Sequence, residues 1–245
     1  MKQHFLDPKV KTAIVLAGGF GTRLQSVVSD VPKPMAIVAG RPFLEYILDY
    51  LSAYGIAEVV LATGHLAESV SRHFGNSYSS MSIKYAVEES PLGTGGAIMN
   101  GFEKCDAKEA LILNGDSFLD VDLTHLLNAA NVHADGMMVL REMKNPDRFG
   151  TVDTDVSGRV LDFQEKRAGL DVGVINAGIY LLKKEVISTC VQKTQFSIEE
   201  DFFKPFVSSL DIGTQLSDGY FIDIGIPEEF ERAQQDFQSF KYAKA

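Results

Sequence analysis

The sequence contains no tryptophan and, among its 245 residues, only two cysteines, Cys105 and Cys190. Two cysteines this far apart fit no metal-binding or redox spacing, so neither a cysteine metal site nor a disulfide framework is expected. We expect both side chains to be buried or half-buried thiols in a reducing compartment.

Long apolar runs are also absent. The longest stretches, such as Ala110 to Leu113, are too short to span a membrane. The first fifteen residues contain Asp7 and Pro8 and lack a long apolar core, so we expect no secretory signal. Together these features predict a cytoplasmic protein without a membrane partner.

Positive charge is scarce as well: 23 lysines and arginines stand against 33 aspartates and glutamates, for a net charge of −10. A nucleic-acid binder needs a basic surface, so we expect no nucleic-acid partner. A small phosphorylated substrate is compatible with this charge if the few cations around it are placed locally. The 45% apolar and 23% charged residues are typical of an ordinary globular protein.

Hydrophobic periodicity predicts alternating strands and helices up to about residue 135. Short, continuous apolar runs are typical of strands buried on both faces, and apolar residues at helical spacing indicate helices. The predicted strands are Thr12–Ala17, Glu58–Ala62, Ser82–Val87 and Ala110–Leu113, and the predicted helices are Pro42–Tyr54, Leu66–Phe74, Gly93–Phe102 and one that Asp122 caps and that runs to about His133. This repeated order predicts an α/β fold with a parallel sheet and helices on both faces.

The second half of the chain is rich in strands. Turn signals separate predicted strands at Gly136–Glu142, Gly150–Thr154, Arg159–Gln164 and Asn176–Leu182. Residues 197–200, S-I-E-E, predict a capping box before a helix to about Val207, and Pro227 predicts the start of a last helix. No linker or repeat divides the chain, so we expect one domain over residues 1–245.

Residues 15–23, V-L-A-G-G-F-G-T-R, place three glycines directly after a strand, and a lysine between two prolines follows at position 33. Glycine amides can converge on an anion without a side chain in the way. Arg23 can grip phosphate oxygens with two parallel hydrogen bonds, and Lys33 adds a point charge. We expect a polyphosphate site; the alternative is a tight turn with a solvated arginine. Leu24 excludes the dinucleotide-binding fingerprint, and the Walker P-loop pattern does not occur.

Motifs in order along nearly the whole chain resemble those of the sugar-phosphate nucleotidyltransferases. The first is A-I-V-L-A-G-G-F-G-T-R-L at 13–24 with P-K-P-M at 32–35. The others are E-E-S-P-L-G-T-G-G-A at 88–97, L-N-G-D at 113–116, D-R-F-G at 147–150, F-Q-E-K at 163–166, N-A-G-I-Y at 176–180 and F-I-D-I-G at 221–225. Enzymes of this family join a nucleoside triphosphate to a sugar 1-phosphate and release pyrophosphate.

The resemblance implies a three-layer Rossmann-like (GT-A-like) fold with a mixed, largely parallel central sheet. It also implies small-molecule substrates, a nucleotide-binding half at about 10–135 and a sugar-binding half at about 136–245. It makes Arg23 and Lys33 catalytic. It assigns nucleotide binding to Leu16, Ala17, Gly18, Gly19, Gly21, Thr22, Glu88, Gly93 and Thr94, and sugar-phosphate binding to Gly150, Glu165, Lys166 and Asn176.

Two aspartates are the candidate metal ligands. Asp116 lies just past the carboxyl end of a buried strand, where open α/β sheets bind ligands, and Asp223 has apolar residues on both sides. Magnesium typically takes one or two carboxylates together with phosphate oxygens and water, so Asp116 and Asp223 are predicted to hold Mg²⁺. The alternatives are an ordinary turn aspartate at 116 and, for Glu165 and Lys166, a solvated charge pair.

The sequence identifies the nucleotide base and the sugar less narrowly than it identifies the type of reaction. Guanine presents two neighbouring N–H donors that one carboxylate can accept, so Glu88 or Glu89 at the start of the base loop favours guanine over uracil or thymine. The compact chain and its S-I-E-E-D-F segment most resemble the D-glycero-α-D-manno-heptose 1-phosphate guanylyltransferases of bacterial surface-polysaccharide pathways. The alternatives are a mannose 1-phosphate guanylyltransferase, a uridylyl- or thymidylyltransferase for glucose or muramic acid 1-phosphate, and a non-catalytic nucleotide-sugar-binding subunit. A homo-oligomer is an open alternative to a monomer.

Arg23 supplies a first test of the polyphosphate site. Because the leaving pyrophosphate gains charge in the transition state, Arg23→Ala should weaken nucleotide binding and slow turnover in steady-state kinetics. Arg23→Lys should restore little activity, since an ammonium lacks the planar fork of a guanidinium. Full activity of the lysine variant would make Arg23 a general positive charge and contradict this account of the loop.

Overall fold

The computed structural model describes residues 8–19, 31–128, 134–164 and 169–242. In these ranges no helix combines the length and the apolar character needed to cross a bilayer. Cys105 and Cys190 are both half-buried free thiols, as predicted. The end of the helix predicted to reach His133 lies outside the described residues. So do five candidate site residues, namely Gly21, Thr22, Arg23, Glu165 and Lys166.

The first half of the chain alternates strands and helices as predicted. In chain order it contains β1 (Thr12–Leu16), β2 (Ile37–Val38), β3 (Arg41–Pro42), α1 (Phe43–Ala53), β4 (Glu58–Thr63), α2 (Ala67–Phe74), β5 (Ser77–Tyr78), β6 (Met81–Val87), α3 (Gly93–Phe102), β7 (Glu109–Asn114), β8 (Ser117–Leu119) and α4 (Leu123–Asn128). The predicted ends agree within one residue, apart from the end of α4. Asp122 caps α4, because its carboxylate accepts a 2.8 Å hydrogen bond from the backbone N–H of Thr124.

The second half contains longer strands. In chain order they and their helices are β9 (Gly136–Lys144), β10 (Thr151–Thr154), β11 (Val160–Gln164), β12 (Val172–Lys183), α5 (Lys184–Cys190), α6 (Lys204–Phe206), β13 (Ile212–Ser217), β14 (Phe221–Asp223) and α7 (Pro227–Asp236). The four predicted strands and the helix at Pro227 are present. β12 begins at Val172 rather than at Asn176, because its first residues already pair with β9.

The helix predicted from Ser197 to about Val207 is present, but it is irregular and its cap differs from the predicted capping box. Ser197 does accept a hydrogen bond from the N–H of Glu200 at 3.2 Å, but Asp201 rather than Glu200 completes the cap by accepting from the Ser197 N–H at 2.8 Å. Residues Ile198–Phe203 form a π-helical turn that continues into α6. Pro205 explains the irregularity, because it has no N–H to donate to the carbonyl of Asp201.

A mixed sheet with ten described strands forms the middle layer. Its main order is β11-β10-β12-β7-β1-β4-β6-β5, and β9 pairs with β12 and β13. The central strands β7, β1, β4 and β6 are parallel, whereas β12 runs antiparallel to β7. Ala13 and Val15 enter a hydrophobic core on one face of the sheet, and Ile14 enters a second core on the other face. The predicted three-layer α/β architecture with a largely parallel centre is confirmed.

Packing at the start of α3 requires bare backbone. A Cβ at Gly93 would lie 2.5 Å from the carbonyl oxygen of Phe196, and one at Gly96 would lie 2.4 Å from that of Thr194. The N–H of Gly95 donates to the Phe196 carbonyl at 3.0 Å. Gly93 also has a φ of +73°, which glycine adopts without strain. The glycines therefore let α3 and residues 194–197 touch directly.

Gly96→Ala tests this contact, because two effects oppose each other. Helix propensity alone would make alanine stabilising by about 1 kcal/mol, whereas overlap with the Thr194 backbone should cost about 1–3 kcal/mol. We expect the overlap to dominate and the Tm in a thermal melt to fall by about 2–4 °C. Asn100→Ala in the same helix also adds propensity and lacks this contact; it loses only an exposed 3.4 Å hydrogen bond from Nδ2 to the Val87 carbonyl and is the control. A Gly96 variant as stable as that control would show that residues 194–197 do not pack on α3.

Candidate active site

A cavity of about 710 Å³ opens beyond the carboxyl end of β7 and draws residues from both halves of the chain. Five of the candidate residues line it: Lys33, Asp116, Gly150, Asn176 and Asp223. The other lining residues are Asn114, Ser117, Arg148, Phe149, Phe163, Ala177, Ser197, Glu199, Glu200, Phe221, Gly225 and Ile226. The described residues predicted for metal and sugar binding thus share one cavity.

The pairing of β8 with β14 brings the two aspartates together. Asp223 lies opposite Ser117 in this antiparallel pair, and the N–H of Ile224 donates to the carbonyl of Asp116 at 3.0 Å. Burial, and after it the negative charge of Asp116, raises the pKa of Asp223. The two carboxylates are therefore close enough to feel each other's charge, as two ligands of one cation should be.

Among the described residues, each aspartate is paired with one positively charged side chain. Lys33 Nζ lies 3.1 Å from Asp116 Oδ2, and Arg148 Nη2 lies 3.0 Å from Asp223 Oδ2. The other oxygen of Asp223 accepts a 2.8 Å hydrogen bond from the N–H of Gly225. A Cβ on Gly225 would lie 2.7 Å from Asp223 Oδ1 and 3.0 Å from Lys33 Nζ, so a side chain there would displace one of these two charged groups. The four side chains Lys33, Asp116, Arg148 and Asp223 form what is termed the charged cluster.

Local backbone structure positions Lys33. It begins a 3₁₀ turn that ends at Met35, whose N–H donates to the carbonyl of Pro32 at 2.7 Å. Pro34 is buried, and its ring restricts φ inside the same turn. The prolines on both sides of Lys33 restrict the backbone there. The ammonium consequently reaches Asp116 from a defined direction.

The charged cluster has the donor set for a divalent cation bound together with phosphate. Within the described ranges, no three or more His, Cys, Asp or Glu side chains group so that they could hold a metal by themselves. Two carboxylates are nevertheless what Mg²⁺ usually takes from a protein, with phosphate oxygens and water as the remaining ligands. Asp116 and Asp223 would therefore hold the cation with water in the free enzyme, and substrate phosphates would add ligands and strengthen its binding.

A second part of the cavity offers uncharged donors and carboxylate acceptors. Glu199 Oε2 accepts hydrogen bonds from Thr94 Oγ1 at 2.9 Å and from Ser197 Oγ at 3.0 Å. Asn176 Nδ2 donates to the hydroxyl of Tyr180 at 2.5 Å. The buried Tyr180 has a raised pKa, first because of burial and then because of the charge of Glu199, so these groups are neighbours. The cavity residues of this part form the polar wall: Asn176, Ser197, Glu199 and Glu200.

Gly18 and Gly19, the described glycines of the loop after β1, have different surroundings. A Cβ at Gly18 would lie 3.1 Å from the backbone nitrogen of Gly64, so Gly18 packs closely against the chain after β4. A Cβ at Gly19 would meet nothing within 4 Å. The N–H of Ala17 donates to the carbonyl of Ala62, and the carbonyl of Leu16 accepts from the N–H of Gly115. Gly18 therefore serves packing, whereas no contact with the described residues requires a glycine at position 19.

The base loop begins at Glu88, directly after β6. Its Oε2 accepts the backbone N–H of Leu92 at 3.1 Å, and burial raises the pKa of this carboxyl group. One carboxylate oxygen of Glu88 thus fastens the loop. The hydroxyl of Thr94 accepts from the N–H of Ile198 at 2.9 Å while donating to Glu199, so it links the base loop to the polar wall. The described nucleotide candidates lie outside the cavity lining: Leu16, Ala17, Gly18, Gly19, Glu88, Gly93 and Thr94.

The charged or polar cavity residues that sequence reasoning misses include Arg148, Ser197, Glu199 and Glu200. Arg148 belongs to the D-R-F-G motif, in which only the glycine is assigned a role. Ser197 and the two glutamates match a helix-start signal, and that signal explains them without any ligand. The resemblance of the S-I-E-E-D-F segment is the one pattern that points to them, and it carries no residue roles.

Known proteins share both the sequence pattern and the fold. Residues 12–239 match the model of the Nucleotidyl transferase family. The chain is 43% identical over 230 residues to D-glycero-α-D-manno-heptose 1-phosphate guanylyltransferase from Aneurinibacillus thermoaerophilus, which covers 93% of this chain and 99% of the relative. The protein of the same name from Campylobacter jejuni is 42% identical over 219 residues, which covers 89% of this chain and 96% of the relative.

A solved structure extends this similarity to three dimensions. HddC from Yersinia pseudotuberculosis complexed with GMP-PN superposes with a TM-score of 0.82 at 32% identity, over 93% of this chain and 100% of that one. The chain therefore belongs to the nucleotidyl transferase family, as its motifs predict. It is an enzyme with small-molecule substrates, and its family typically uses a divalent metal.

Glu88→Gln tests the base assignment. A glutamine can keep the Leu92 hydrogen bond through its carbonyl oxygen, and its amide N–H would then face the N–H donors of guanine. An unpaired buried donor costs about 1–3 kcal/mol, so kcat/KM for GTP should fall about tenfold to a hundredfold. Relative use of UTP or dTTP should rise in the same assay, because their carbonyl groups can accept from the amide.

The same change at the exposed neighbouring position, Glu89→Gln, is the matched control and should leave the nucleotide preference unaltered. If Glu88→Gln also leaves the ranking of the four nucleotides unaltered, the backbone near Leu92–Thr94 must read the base, and Glu88 serves only to fasten the loop.

Proposed function

We propose that the protein transfers a guanylyl group from GTP to D-glycero-α-D-manno-heptose 1-phosphate, with Mg²⁺ as cofactor. The observation that carries this proposal is the 43% identity along nearly the whole length of both this chain and a guanylyltransferase named for that sugar. The GMP-PN in the HddC complex supports the choice of base. The products are a nucleotide-heptose, used for bacterial surface polysaccharide, and pyrophosphate. The cytoplasm, where nucleoside triphosphates are made, is the proposed compartment.

The reaction needs no strong base. An oxygen of the sugar 1-phosphate attacks the α-phosphorus of GTP and forms a new P–O bond. The bond from the α-phosphorus to the bridging oxygen breaks, and pyrophosphate leaves with the electron pair. Because the nucleophile is already an anion, catalysis requires charge neutralisation and in-line alignment of the two phosphates.

The proposed roles follow from these two requirements. Asp116 and Asp223 would hold Mg²⁺, which when bound neutralises phosphate charge as a Lewis acid. Lys33 keeps Asp116 in place and adds positive charge beside it, at 3.1 Å. Arg23 is proposed to neutralise the leaving pyrophosphate, and Lys166 to bind the incoming sugar phosphate, both on the motif resemblance.

The division of the cavity supports a sugar phosphate as second substrate. The carboxylates of Glu199 and Glu200 repel a phosphate and accept hydrogen bonds from hydroxyl groups. The phosphate is therefore directed to the charged cluster and the sugar hydroxyls to the polar wall, where Asn176 already lies. Gly150 lies in the same lining, where its lack of a side chain lets it pack closely against Phe163 and the carbonyl of Gln164.

A screen for pyrophosphate release tests the proposal directly. Four nucleoside triphosphates are combined with the 1-phosphates of the heptose, mannose, glucose and muramic acid. GTP with the heptose 1-phosphate should give the highest kcat/KM. A preference for mannose 1-phosphate would reassign the sugar, and a preference for UTP or dTTP would reassign the base. Release from no combination would favour the non-catalytic subunit.

Asp116→Asn tests the metal site in the same assay. The change removes a metal-binding charge and keeps the shape of the side chain. Because a metal that clamps phosphoryl charge supplies several kcal/mol of barrier reduction, turnover should fall at least about a thousandfold. Circular dichroism should show a folded protein. Activity within tenfold of the wild type would remove Asp116 from the metal site.

A further inference from the structure

Arg148 engages the carboxylate that the proposed function assigns to the metal. Its Nη2 lies 3.0 Å from Asp223 Oδ2, while Oδ1 of the same carboxylate accepts the N–H of Gly225 at 2.8 Å. Both oxygens of Asp223 are thus bonded to donors. A divalent cation at Oδ2 would lie next to the guanidinium, and two cations at one oxygen repel each other strongly.

The charge balance of the charged cluster also indicates that a bound divalent cation would displace one of the positively charged side chains from its carboxylate. Lys33 with Asp116 and Arg148 with Asp223 are two ion pairs whose formal charges cancel. A divalent cation adds two positive charges to a balanced cluster. The substrate phosphates supply the compensating negative charge, so one of the resident cations is free to change its partner from a carboxylate to a phosphate.

Arg148 rather than Lys33 is suited to that exchange. The Lys33 side chain is 18% exposed and starts a proline-flanked turn, whereas the Arg148 side chain is 38% exposed and lies in the loop between β9 and β10. The backbone of that loop is fastened, because the N–H of Phe149 donates to the carbonyl of Pro146 at 2.8 Å. The N–H of Gly169 likewise donates to Asp147 Oδ1 at 3.1 Å. The exchange therefore requires rotation of a side chain and no movement of the loop.

We propose that Arg148 is an exchangeable counter-ion of Asp223. Its guanidinium holds the carboxylate until the divalent cation binds, and it then turns within the cavity to bind the phosphate of the sugar 1-phosphate. This inference rests on the proposed function, because it takes Asp223 as a metal ligand. It makes Arg148 a competitor of the metal in the free enzyme and a binding group for the second substrate afterwards. Metal binding and sugar-phosphate binding thereby become positively coupled.

Manganese binding to the substrate-free enzyme, followed by electron paramagnetic resonance of free Mn²⁺, tests the first half of the proposal. Arg148→Gln should bind Mn²⁺ about twofold to fivefold more tightly than the wild type, the effect expected for loss of one partly exposed ion pair. Arg72→Gln removes the same charge from α2, where the side chain is 81% exposed, and should leave Mn²⁺ affinity and activity unchanged.

Steady-state kinetics test the second half. Arg148→Gln should raise the KM for the sugar 1-phosphate at least about tenfold, because a charge-assisted contact is lost, with a much smaller effect on the KM for GTP. Arg148→Lys keeps the charge without the bidentate fork. It should keep the wild-type Mn²⁺ affinity and still raise the KM for the sugar phosphate.

The failures of this inference and of the proposed metal site can be told apart with Asp223→Asn. If Asp223→Asn abolishes Mn²⁺ binding and Arg148→Gln leaves it unchanged or weaker, the counter-ion role is wrong and the metal site stands. If Asp223→Asn binds Mn²⁺ like the wild type, the metal assignment itself is wrong, and the inference falls with it. Equal KM effects on GTP and the sugar phosphate in Arg148→Gln would also overturn the proposed exchange.

Discussion

The candidate site depends on one short piece of backbone pairing, that between β8 and β14. Three residues of each strand pair, and Asp116 and Asp223 stand at the same end of this ladder. Ile222 is fully buried and Phe118 nearly so, and burial of such side chains rather than the few ladder hydrogen bonds supplies most of the stabilisation. This pairing makes two aspartates that are far apart in the sequence into neighbours, and the proposed metal site rests on it.

A second long-range contact joins the two halves of the chain. The segment at 194–197 lies directly on the glycines of α3, and Thr94 is hydrogen-bonded to both Ile198 and Glu199. The base loop and the polar wall are therefore parts of one packed unit. Because the cavity is lined from both halves, a nucleotide and a sugar phosphate bound there would contact a common, rigidly connected surface.

Much of this architecture can be predicted from the sequence, because its signals are local. Strands such as β1 and β4 are buried on both faces, and such strands are continuous apolar runs of the right length. The position of Asp116 also follows from a general rule, since ligands bind beyond the carboxyl ends of parallel strands. The motif order adds Lys33 and Asp223 to the site, although neither has a local pattern that identifies its partner.

The remaining features could not be predicted. In each case a local sequence pattern already accounts for the residue, so it gives no sign of a second contact that the residue makes. Ser197 caps a helical turn and also donates to Glu199. Gly96 fits a glycine-rich base loop, yet its lack of a side chain is needed by the carbonyl of Thr194. A single sequence records one residue type at each position, and that type is compatible with both explanations. Only the packed structure separates them.

The net charge of the chain likewise does not reveal what the protein binds. A net charge of −10 gives no sign that the protein binds two anionic substrates, and the charged cluster is itself balanced, with two acids and two bases. A balanced cluster attracts a free phosphate weakly, because each positive group already faces a carboxylate. A divalent cation that arrives with the nucleotide would add positive charge to this cluster, beside the phosphate contacts proposed for Arg23 and Lys166. Placement of a few charged side chains, rather than the overall composition, makes this chain suited to phosphoryl chemistry.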